Sequence, residues 1–263
     1  MGNTGSQLPD RIVFIADAHL GIGDDSARRA ENLAGFLRWL KGRISHLYIV
    51  GDLFDYWFEY KSVIPSTAPR VVFELYNLKQ AGVAVTMFGG NHDYWLGPYL
   101  RDSVGVTIVS DEAVVEHQGL TIYIHHGDGL YPRDYGYKLL KKVLRSRLSI
   151  FLYRLIHPDL ASRIARLTSK TSRKYLAPPA GNDFSEARSI RLFRDIADAR
   201  LRDGYDAVVY GHCHVPLVEK RHGGTLILLG DWITHDTYIT LENGTFSLNA
   251  WHSGRETYNG ESV

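Results

Sequence analysis

Five short runs of β-branched and aromatic residues each end directly in a group of Asp, Asn or His side chains, and this pattern most constrains the fold. In chain order the groups are Asp17-Ala18-His19, Gly51-Asp52-Leu53-Phe54-Asp55, Gly90-Asn91-His92-Asp93, His126-Gly127-Asp128 and Gly211-His212-Cys213-His214. In open α/β sheets, sites form at the carboxyl ends of the strands. The pattern therefore predicts one sheet edge that collects all five groups.

Helical patterns separate many of the predicted strands. Strands are predicted at 11–16, 46–50, 83–88, 120–125, 206–210, 225–229, 237–241 and 245–249, and helices at 26–41, 69–81 and 185–203. Residues 106–125 and 225–249 are expected to form hairpins, and Asn243-Gly244 marks a turn in the second. This order predicts an α/β fold with a largely parallel core and antiparallel additions.

Length allows one large α/β domain or two small ones, and because no linker or repeat in the sequence requires a second domain, we expect one. The chain has 263 residues, of which 44% are apolar and 22% charged, and one cysteine, which excludes an intramolecular disulfide framework. No apolar run reaches the roughly 18 residues of a membrane-spanning helix. Residues 1–10 are polar and lack an apolar signal core, so we expect a loose tail, a domain at 11–263 and a cytoplasmic protein.

Charge is distributed unevenly along the chain. Residues 133–174 hold 12 Lys and Arg against two acids, whereas the whole chain has a net charge of only +1. Such a segment indicates either an anionic partner or a solvated basic helix face.

The same segment has a helical pattern of its own. Its apolar residues Leu140, Leu144, Leu148, Phe151 and Leu155 keep roughly helical spacing. Pro158 begins a second pattern. We therefore predict a pair of helices inserted into the α/β domain at about 131–180, which would form a lid.

The polar groups supply more N and O ligands than one metal ion needs. The candidate ligands are Asp17, His19, Asp52, Asn91, His126, His212 and His214. This set suits two divalent ions that share a carboxylate, with Asp52 as the expected bridge. Imidazole and carboxylate favour Mn, Fe or Zn over Cu(I) or Ca. Two such ions can activate water and bind phosphoryl oxygens.

The spacing within two groups also predicts convergence. Residues i and i+2 of an extended segment point to the same side. Asp17 and His19 are therefore expected to converge, as are His212 and His214, with Cys213 directed away.

From Ile12 to about Trp232, the ordered set resembles the calcineurin-like metallophosphoesterase superfamily. Within it, the chain is most similar to the UDP-2,3-diacylglucosamine hydrolase family. That similarity rests on Asp17-Ala18-His19-Leu20-Gly21, Gly51-Asp52-Leu53-Phe54-Asp55-Tyr56-Trp57, His126-Gly127-Asp128-Gly129-Leu130, Asp134, Tyr137 and Ser169-Lys170. The resemblance implies a β-sandwich flanked by helices with an inserted helical lid. It also implies manganese-dependent cleavage of the UDP-2,3-diacylglucosamine pyrophosphate in lipid A synthesis, giving UMP and the acylated sugar 1-phosphate.

The resemblance also assigns roles to individual residues. Asp17, His19, Asp52 and His214 would hold the first metal, and Asp52, Asn91, His126 and His212 the second. Substrate contacts would come from Asn91, His92, Asp134, Tyr137, Ser169, Lys170, Arg173 and Lys174. His92 and Asp93 are the catalytic candidates, with Asp93 orienting the His92 ring. Well-known hydrolases of the family have arginine where this chain has His92, whereas His92-Asp93 is the general superfamily pattern.

Several alternative functions share this metal chemistry. A soluble phosphodiesterase or phosphatase acting on nucleotides would use the same ligands, and His92 supports it. A nuclease would use the basic segment to track phosphates, but little chain remains for a DNA-capping domain, so no stable nucleic-acid partner is expected. A noncatalytic scaffold does not need all seven ligands. The leading hypothesis has two partners, a UDP-linked glycolipid and the anionic inner-membrane surface, and leaves the oligomeric state open.

Overall fold

The computed structural model describes residues 8–21, 23–131, 135–165, 167, 183–252 and 254–262. Five predicted substrate contacts, Asp134, Ser169, Lys170, Arg173 and Lys174, lie outside the described residues. Most of the predicted tail, residues 1–7, does so as well.

The described chain alternates strands and helices in its first half and is strand-rich at its end. The strands are β1 (Arg11–Ile15), β2 (His46–Val50), β3 (Ala84–Phe88), β4 (Thr107–Val109), β5 (Glu112–His117), β6 (Leu120–His125), β7 (Ala207–Tyr210), β8 (Pro216–Arg221), β9 (Gly224–Leu229), β10 (Thr237–Glu242), β11 (Thr245–His252) and β12 (Arg255–Ser262). The helices are α1 (Ser26–Leu40), α2 (Pro69–Gln80), α3 (Tyr135–Leu144), α4 (Arg147–Arg154), α5 (158–165) and α6 (Asp183–Arg202), with a π-helical turn at Tyr99–Val104.

The described strands form a seven-stranded sheet, β12-β11-β10-β1-β2-β3-β4, and a five-stranded sheet, β5-β6-β7-β9-β8. Strands β1 to β4 are parallel neighbours, as are β6, β7 and β9. The remaining pairs are antiparallel. The predicted parallel core with antiparallel additions is therefore confirmed.

Apolar side chains from both sheets fill the space between them. Phe14 and Val50 of one sheet belong to the same buried cluster as Ile124 and Val209 of the other. Helices α1 and α2 cover the outer face of the seven-stranded sheet. Helix α6 covers the five-stranded sheet, packing Phe193 against its outer face. The predicted β-sandwich flanked by helices is confirmed by these four layers.

The two predicted hairpins are only partly correct. Strands β5 and β6 form a hairpin, but β4 pairs with β3 in the other sheet. Strands β10 and β11 form a hairpin around Asn243-Gly244, whereas β9 belongs to the five-stranded sheet. Both errors have one cause. The sequence of an apolar strand does not indicate which of the two sheets contains it, because that depends on which distant strands it pairs with.

The described part of the insert contains three helices rather than two. The predicted first helix is interrupted at Arg145-Ser146, where the Ser146 side chain accepts a hydrogen bond from the Ser149 backbone N–H and caps α4. No residue of α3 or α4 is buried. Among the described residues, no helix combines the length and apolar content needed to cross a bilayer. The boundaries at 131–180 stay a prediction.

Candidate metal centre

The seven predicted ligands lie in the loops that follow five strands at one edge of the sandwich. Asp17 and His19 follow β1, Asp52 follows β2, Asn91 follows β3, His126 follows β6, and His212 and His214 follow β7. Backbone hydrogen bonds join these loops directly. The His19 N–H donates to the Asp52 carbonyl at 2.9 Å, and the Gly211 N–H donates to the His126 carbonyl at 2.9 Å. The sheet edge therefore brings together residues far apart in sequence.

The backbone at these positions is left-handed rather than extended. The φ angles of the candidate ligands concerned are 56° for Asp17, 44° for His19, 52° for Asp52, 67° for His212 and 59° for His214. The extended geometry expected from the sequence is therefore wrong. Such conformations cost about 1–3 kcal/mol per residue and cluster at functional sites. Here they turn polar side chains toward one point immediately after a buried strand.

One group of donor atoms surrounds Asp17 Oδ1. His19 Nε2 lies 3.7 Å from Asp17 Oδ1 and 3.7 Å from Asp52 Oδ2. His214 Nε2 lies 3.5 Å from Asp17 Oδ1 and 3.3 Å from His19 Nε2. Two carboxylates and two imidazoles thus direct one atom each to a common point.

A second group surrounds Asn91 Oδ1. This oxygen lies 3.2 Å from His126 Nε2 and 3.0 Å from His212 Nδ1. His126 Nε2 is also 3.4 Å from Asp52 Oδ2. Asp52 Oδ2 therefore belongs to both groups. His212 and His214, expected to converge, instead contribute to different groups.

Hydrogen bonds fix the carboxylates so that one oxygen of each points into the cluster. The His92 N–H donates to Asp52 Oδ1 at 2.8 Å, and the His212 N–H donates to Asp17 Oδ2 at 2.7 Å. Asp17 Oδ1 is buried and has no hydrogen-bond partner among the described residues. A buried carboxylate oxygen without a donor is costly unless a cation lies beside it.

Two glycines allow the close approach of these loops. A Cβ at Gly90 would lie 2.1 Å from Asp52 Oδ1, and one at Gly51 would lie 2.4 Å from His126 Nδ1. Gly51 also has φ +84°. Larger residues would displace ligand side chains at both positions.

Asp93 and His92 have different roles in the structure. Asp93 is fully buried, and it accepts hydrogen bonds from the backbone N–H groups of Asp52, Phe54 and Gly90. It braces two ligand loops, so the expectation that it orients the His92 ring is wrong. Asp55 has that position, because its carbonyl and carboxylate oxygens lie 3.3 and 3.4 Å from His92 Nδ1.

Residues outside the predicted set orient the imidazoles. Asp55 Oδ1 lies 3.4 Å from His19 Nδ1, and Asp231 Oδ2 lies 3.2 Å from His214 Nδ1. The Val50 carbonyl lies 2.8 Å from His126 Nδ1. Such contacts typically fix the tautomer of metal-binding histidines. The sequence signal for Asp231 was its position two residues after the apolar run of β9.

Carboxylates dominate the electrostatics of the cluster. Burial alone would lower the pKa of His126, but the adjacent Asp52 carboxylate raises that pKa to about 10. Burial also opposes the charge on His19, whereas Asp17 and Asp55 raise its pKa to about 9. Burial, together with the charge of His126, lowers the pKa of His212 to about 4. The buried carboxylates thus stabilise positive charge on His19 and His126.

The donor set fits divalent metal ions. Asp17, His19 and His214 place one donor atom each within 4.8 Å of one another, and Asp17, Asp52 and His126 do so as well. Imidazole nitrogen and carboxylate oxygen are ligands of Mn, Fe and Zn. A cation would also pair with Asp17 Oδ1, which accepts no hydrogen bond among the described residues.

A cavity of about 470 Å³ opens beside Asn91 and His92. Tyr94 and Trp95 line it on the sandwich side. The insert contributes Tyr137, Leu140, Lys141, Leu144, Arg145 and Tyr153. The candidate metal centre therefore borders a largely aromatic and aliphatic chamber.

Comparison with known proteins identifies the family. The calcineurin-like phosphoesterase model matches residues 10–216, which include all seven candidate ligands. A UDP-2,3-diacylglucosamine hydrolase of Porphyromonas gingivalis is 31% identical over 92% of this chain and 98% of its own length. One of Pseudomonas fluorescens is 30% identical over 90% of this chain and 94% of its own length. This chain is therefore a member of the calcineurin-like phosphoesterase family and, within it, of the group that contains the UDP-2,3-diacylglucosamine hydrolases.

Proposed function

We propose that this protein hydrolyses the pyrophosphate bond of UDP-2,3-diacylglucosamine, giving UMP and 2,3-diacylglucosamine 1-phosphate, in lipid A synthesis. Relatives that carry this activity in their names match nearly the whole chain at about 30% identity. The structural observation that carries the proposal is the cavity. The cavity is lined both by the metal-centre residues Asn91 and His92 and by apolar side chains of the insert. A substrate with a phosphate ester and acyl chains needs both surfaces in one site.

Two divalent ions, with manganese favoured over iron or zinc, are the proposed cofactors. Asp17, His19, Asp52 and His214 would hold one ion. Asp52, Asn91, His126 and His212 would hold the other, with Asp52 shared. When bound, such ions stabilise negative charge on a phosphoryl group and activate water for in-line attack. Manganese is favoured by family resemblance, because the imidazole and carboxylate ligands also suit iron and zinc.

His92 is the proposed catalytic side chain of the protein itself. It lines the cavity next to Asn91, and 16% of its side chain is exposed. Asp55 contacts Nδ1 and so fixes the ring. Nε2 would then donate to a phosphoryl oxygen, stabilising charge where it develops. Asp93 acts on the same step by holding the ligand loops.

The remaining cavity would bind the acylated glucosamine. Leu140 and Leu144 provide an aliphatic wall, and Tyr94, Trp95 and Tyr153 provide aromatic surface. Tyr137 lies at the same wall, in keeping with its predicted substrate contact. We assign Asp134, Ser169, Lys170, Arg173 and Lys174 to the polar part of the substrate by family resemblance alone.

We also propose that the insert rests on the anionic cytoplasmic face of the inner membrane. Leu148, Phe151, Leu155 and Leu160 are between 52% and 70% exposed. Basic residues alternate with this apolar surface, as in helices that lie in a membrane interface. A water-insoluble substrate would enter the cavity from there.

A hydrolysis panel with and without Mn²⁺ tests the proposal. The substrates are UDP-2,3-diacylglucosamine, its deacylated UDP-sugar, a cyclic nucleotide, single-stranded DNA and a soluble aryl phosphodiester. We expect metal-dependent release of UMP, with the highest kcat/KM on the acylated substrate. A higher kcat/KM on the cyclic nucleotide or on DNA would replace this function with a nucleotide phosphodiesterase or a nuclease.

A further inference from the structure

Helix α3, which forms one wall of the cavity, is held to the sandwich mainly by polar contacts. None of its residues is buried. Lys141 Nζ lies 2.7 Å from Asp111 Oδ1 and 3.0 Å from Asp128 Oδ2. Only 16% of the Lys141 side chain is exposed, although Lys142 beside it is exposed. The ammonium of Lys141 thus lies between two carboxylates of the sandwich.

Two more residues on the Lys141 face of the helix, Tyr137 and Arg145, also contact the sandwich. The Tyr137 hydroxyl donates to Asp128 Oδ2 at 2.7 Å, one turn before Lys141. One turn after it, Arg145 donates to Asp111 Oδ1 at 3.1 Å and to the Ser110 carbonyl at 3.0 Å. Positions four residues apart lie on one helix face. The stripe of 137, 141 and 145 therefore faces the acids at 111 and 128.

The segments that hold α3 are joined to the metal-centre loops. Asp128 follows the candidate ligand His126 by two residues. Trp95, four residues after Asn91, donates its indole N–H to the Leu144 carbonyl at 3.1 Å. The α3 wall of the cavity is therefore hydrogen-bonded to residues that lie close in sequence to the candidate metal ligands.

We propose that Asp111 and Lys141 form a latch that positions α3 and thereby sets the width of the acyl-binding cavity. Asp111 is the positioning residue: it does not line the cavity, and it acts through Lys141 and Arg145, which do. The pKa of Asp111 lies below its ordinary value because of His125 and Lys141, so it is charged at neutral pH. The substrate part of this inference rests on the proposed function.

Asp111→Asn removes the charge at an accessible position, and Glu116→Gln, an exposed acid on β5, is the matched control. In the metal-loaded protein we expect faster hydrogen exchange of the α3 amides in Asp111→Asn. We also expect KM for UDP-2,3-diacylglucosamine to rise roughly two- to fivefold, the effect of a partly exposed ion pair. The kcat on a soluble aryl phosphodiester should stay unchanged. Asp111→Glu should restore slow exchange and low KM.

Lys141→Met provides a second test of the same contact. It should accelerate α3 exchange, and adding Asp111→Asn to it should change exchange and KM less than Asp111→Asn alone does, because of the described contacts between Asp111 and the insert only that with Arg145 remains to be lost. If Asp111→Asn matches Glu116→Gln in exchange and KM, or if the two substitutions are additive, there is no latch. The latch would also be refuted if Asp111→Asn lost bound metal and lost activity equally on UDP-2,3-diacylglucosamine and on the aryl phosphodiester. Failure of the wild type on UDP-2,3-diacylglucosamine would refute the proposed function instead, and exchange would still decide the latch.

Discussion

The metal centre and the insert are built in opposite ways. Asp17, Asp52 and His126 are at most 1% exposed, and backbone hydrogen bonds tie their loops together. Helices α3 and α4 bury no residue, and Leu155 of the α4 C-cap is 70% exposed. Catalytic groups must be held to within a fraction of an ångström. A helix that contacts a flexible lipid chain has no such requirement. The tightly packed, hydrogen-bonded residues therefore lie at the metal centre, and the exposed apolar residues lie on the insert.

Asp52→Ala tests the rigid region most severely. It removes a carboxylate oxygen, Asp52 Oδ2, that lies within 3.7 Å of both His19 Nε2 and His126 Nε2. We expect turnover to fall to background on every substrate, with loss of bound metal and an unchanged circular dichroism spectrum. Elemental analysis of the purified variant checks the metal content. Two retained ions with near wild-type turnover would refute the shared-carboxylate assignment.

His92→Ala should separate charge stabilisation from metal binding. The backbone N–H of residue 92, which holds Asp52, remains in the variant. Metal content should therefore persist while turnover falls about 10²–10³-fold, the usual effect of losing a hydrogen-bond donor to the developing charge. His92→Arg is the informative companion, because it installs the residue of well-known family hydrolases. Unchanged turnover in both variants would make His92 a bystander.

A methyl group added at the metal centre and one added on the insert test whether the insert tolerates added volume better. Gly90→Ala would place a carbon 2.1 Å from Asp52 Oδ1, whereas Gly136→Ala on α3 meets no atom within 4 Å among the described residues. Displacing a reacting group by about 1 Å can cost about 10²-fold in rate. We expect a loss of that order for Gly90→Ala and wild-type kinetics for Gly136→Ala. Equal kinetics of the two variants would show that the metal centre tolerates an added methyl group as well as α3 does.

Polar substitutions in the cavity wall should affect only the acylated substrate. Leu140→Ser and Leu144→Ser remove side chains that line the cavity, while Leu148, 66% exposed and outside the lining, provides the control Leu148→Ser. A fully covered leucine contributes about 1.5–3 kcal/mol, or roughly ten- to hundredfold in kcat/KM. Assays in detergent on acylated and deacylated substrates check this. Parallel losses on both would assign these leucines to packing.

The smallest expected effect concerns the membrane. Arg147→Gln/Arg154→Gln should weaken binding to anionic liposomes by about 1 kcal/mol per residue at low salt. High salt should remove the difference. The exposed Arg188 and Arg191 of α6 give the matched control, Arg188→Gln/Arg191→Gln. Equal binding by both double variants in sedimentation would show that the insert has no special role at the bilayer.

The ligand positions could be predicted because each follows an apolar strand, and the carboxyl ends of strands share an edge. The left-handed backbone of Asp17 and His19 could not, because it arises from hydrogen bonds to a neighbouring loop. For the same reason Asp55 and Asp231 were missed as partners of histidines. Their roles depend on which side chains the fold brings beside them.

The limits at the level of the fold have similar causes. Strands β9 and β10 are both apolar, yet they belong to different sheets, and that choice depends on partners far along the chain. Strand β8 begins with Pro216 and carries charges, so it lacks the usual strand pattern and forms an edge. The helix break at Arg145-Ser146 has a local signal, the cap at Ser146, which the apolar periodicity concealed.

Anomalous diffraction from crystals grown with Mn²⁺ tests whether the sheet edge holds two metal ions that share the Asp52 carboxylate. We expect two manganese peaks at the sheet edge. One would be bound by Asp17, His19 and His214, the other by Asn91, His126 and His212, with Asp52 contacting both. A single peak, or a second peak away from Asp52, would contradict a two-metal centre with a shared carboxylate.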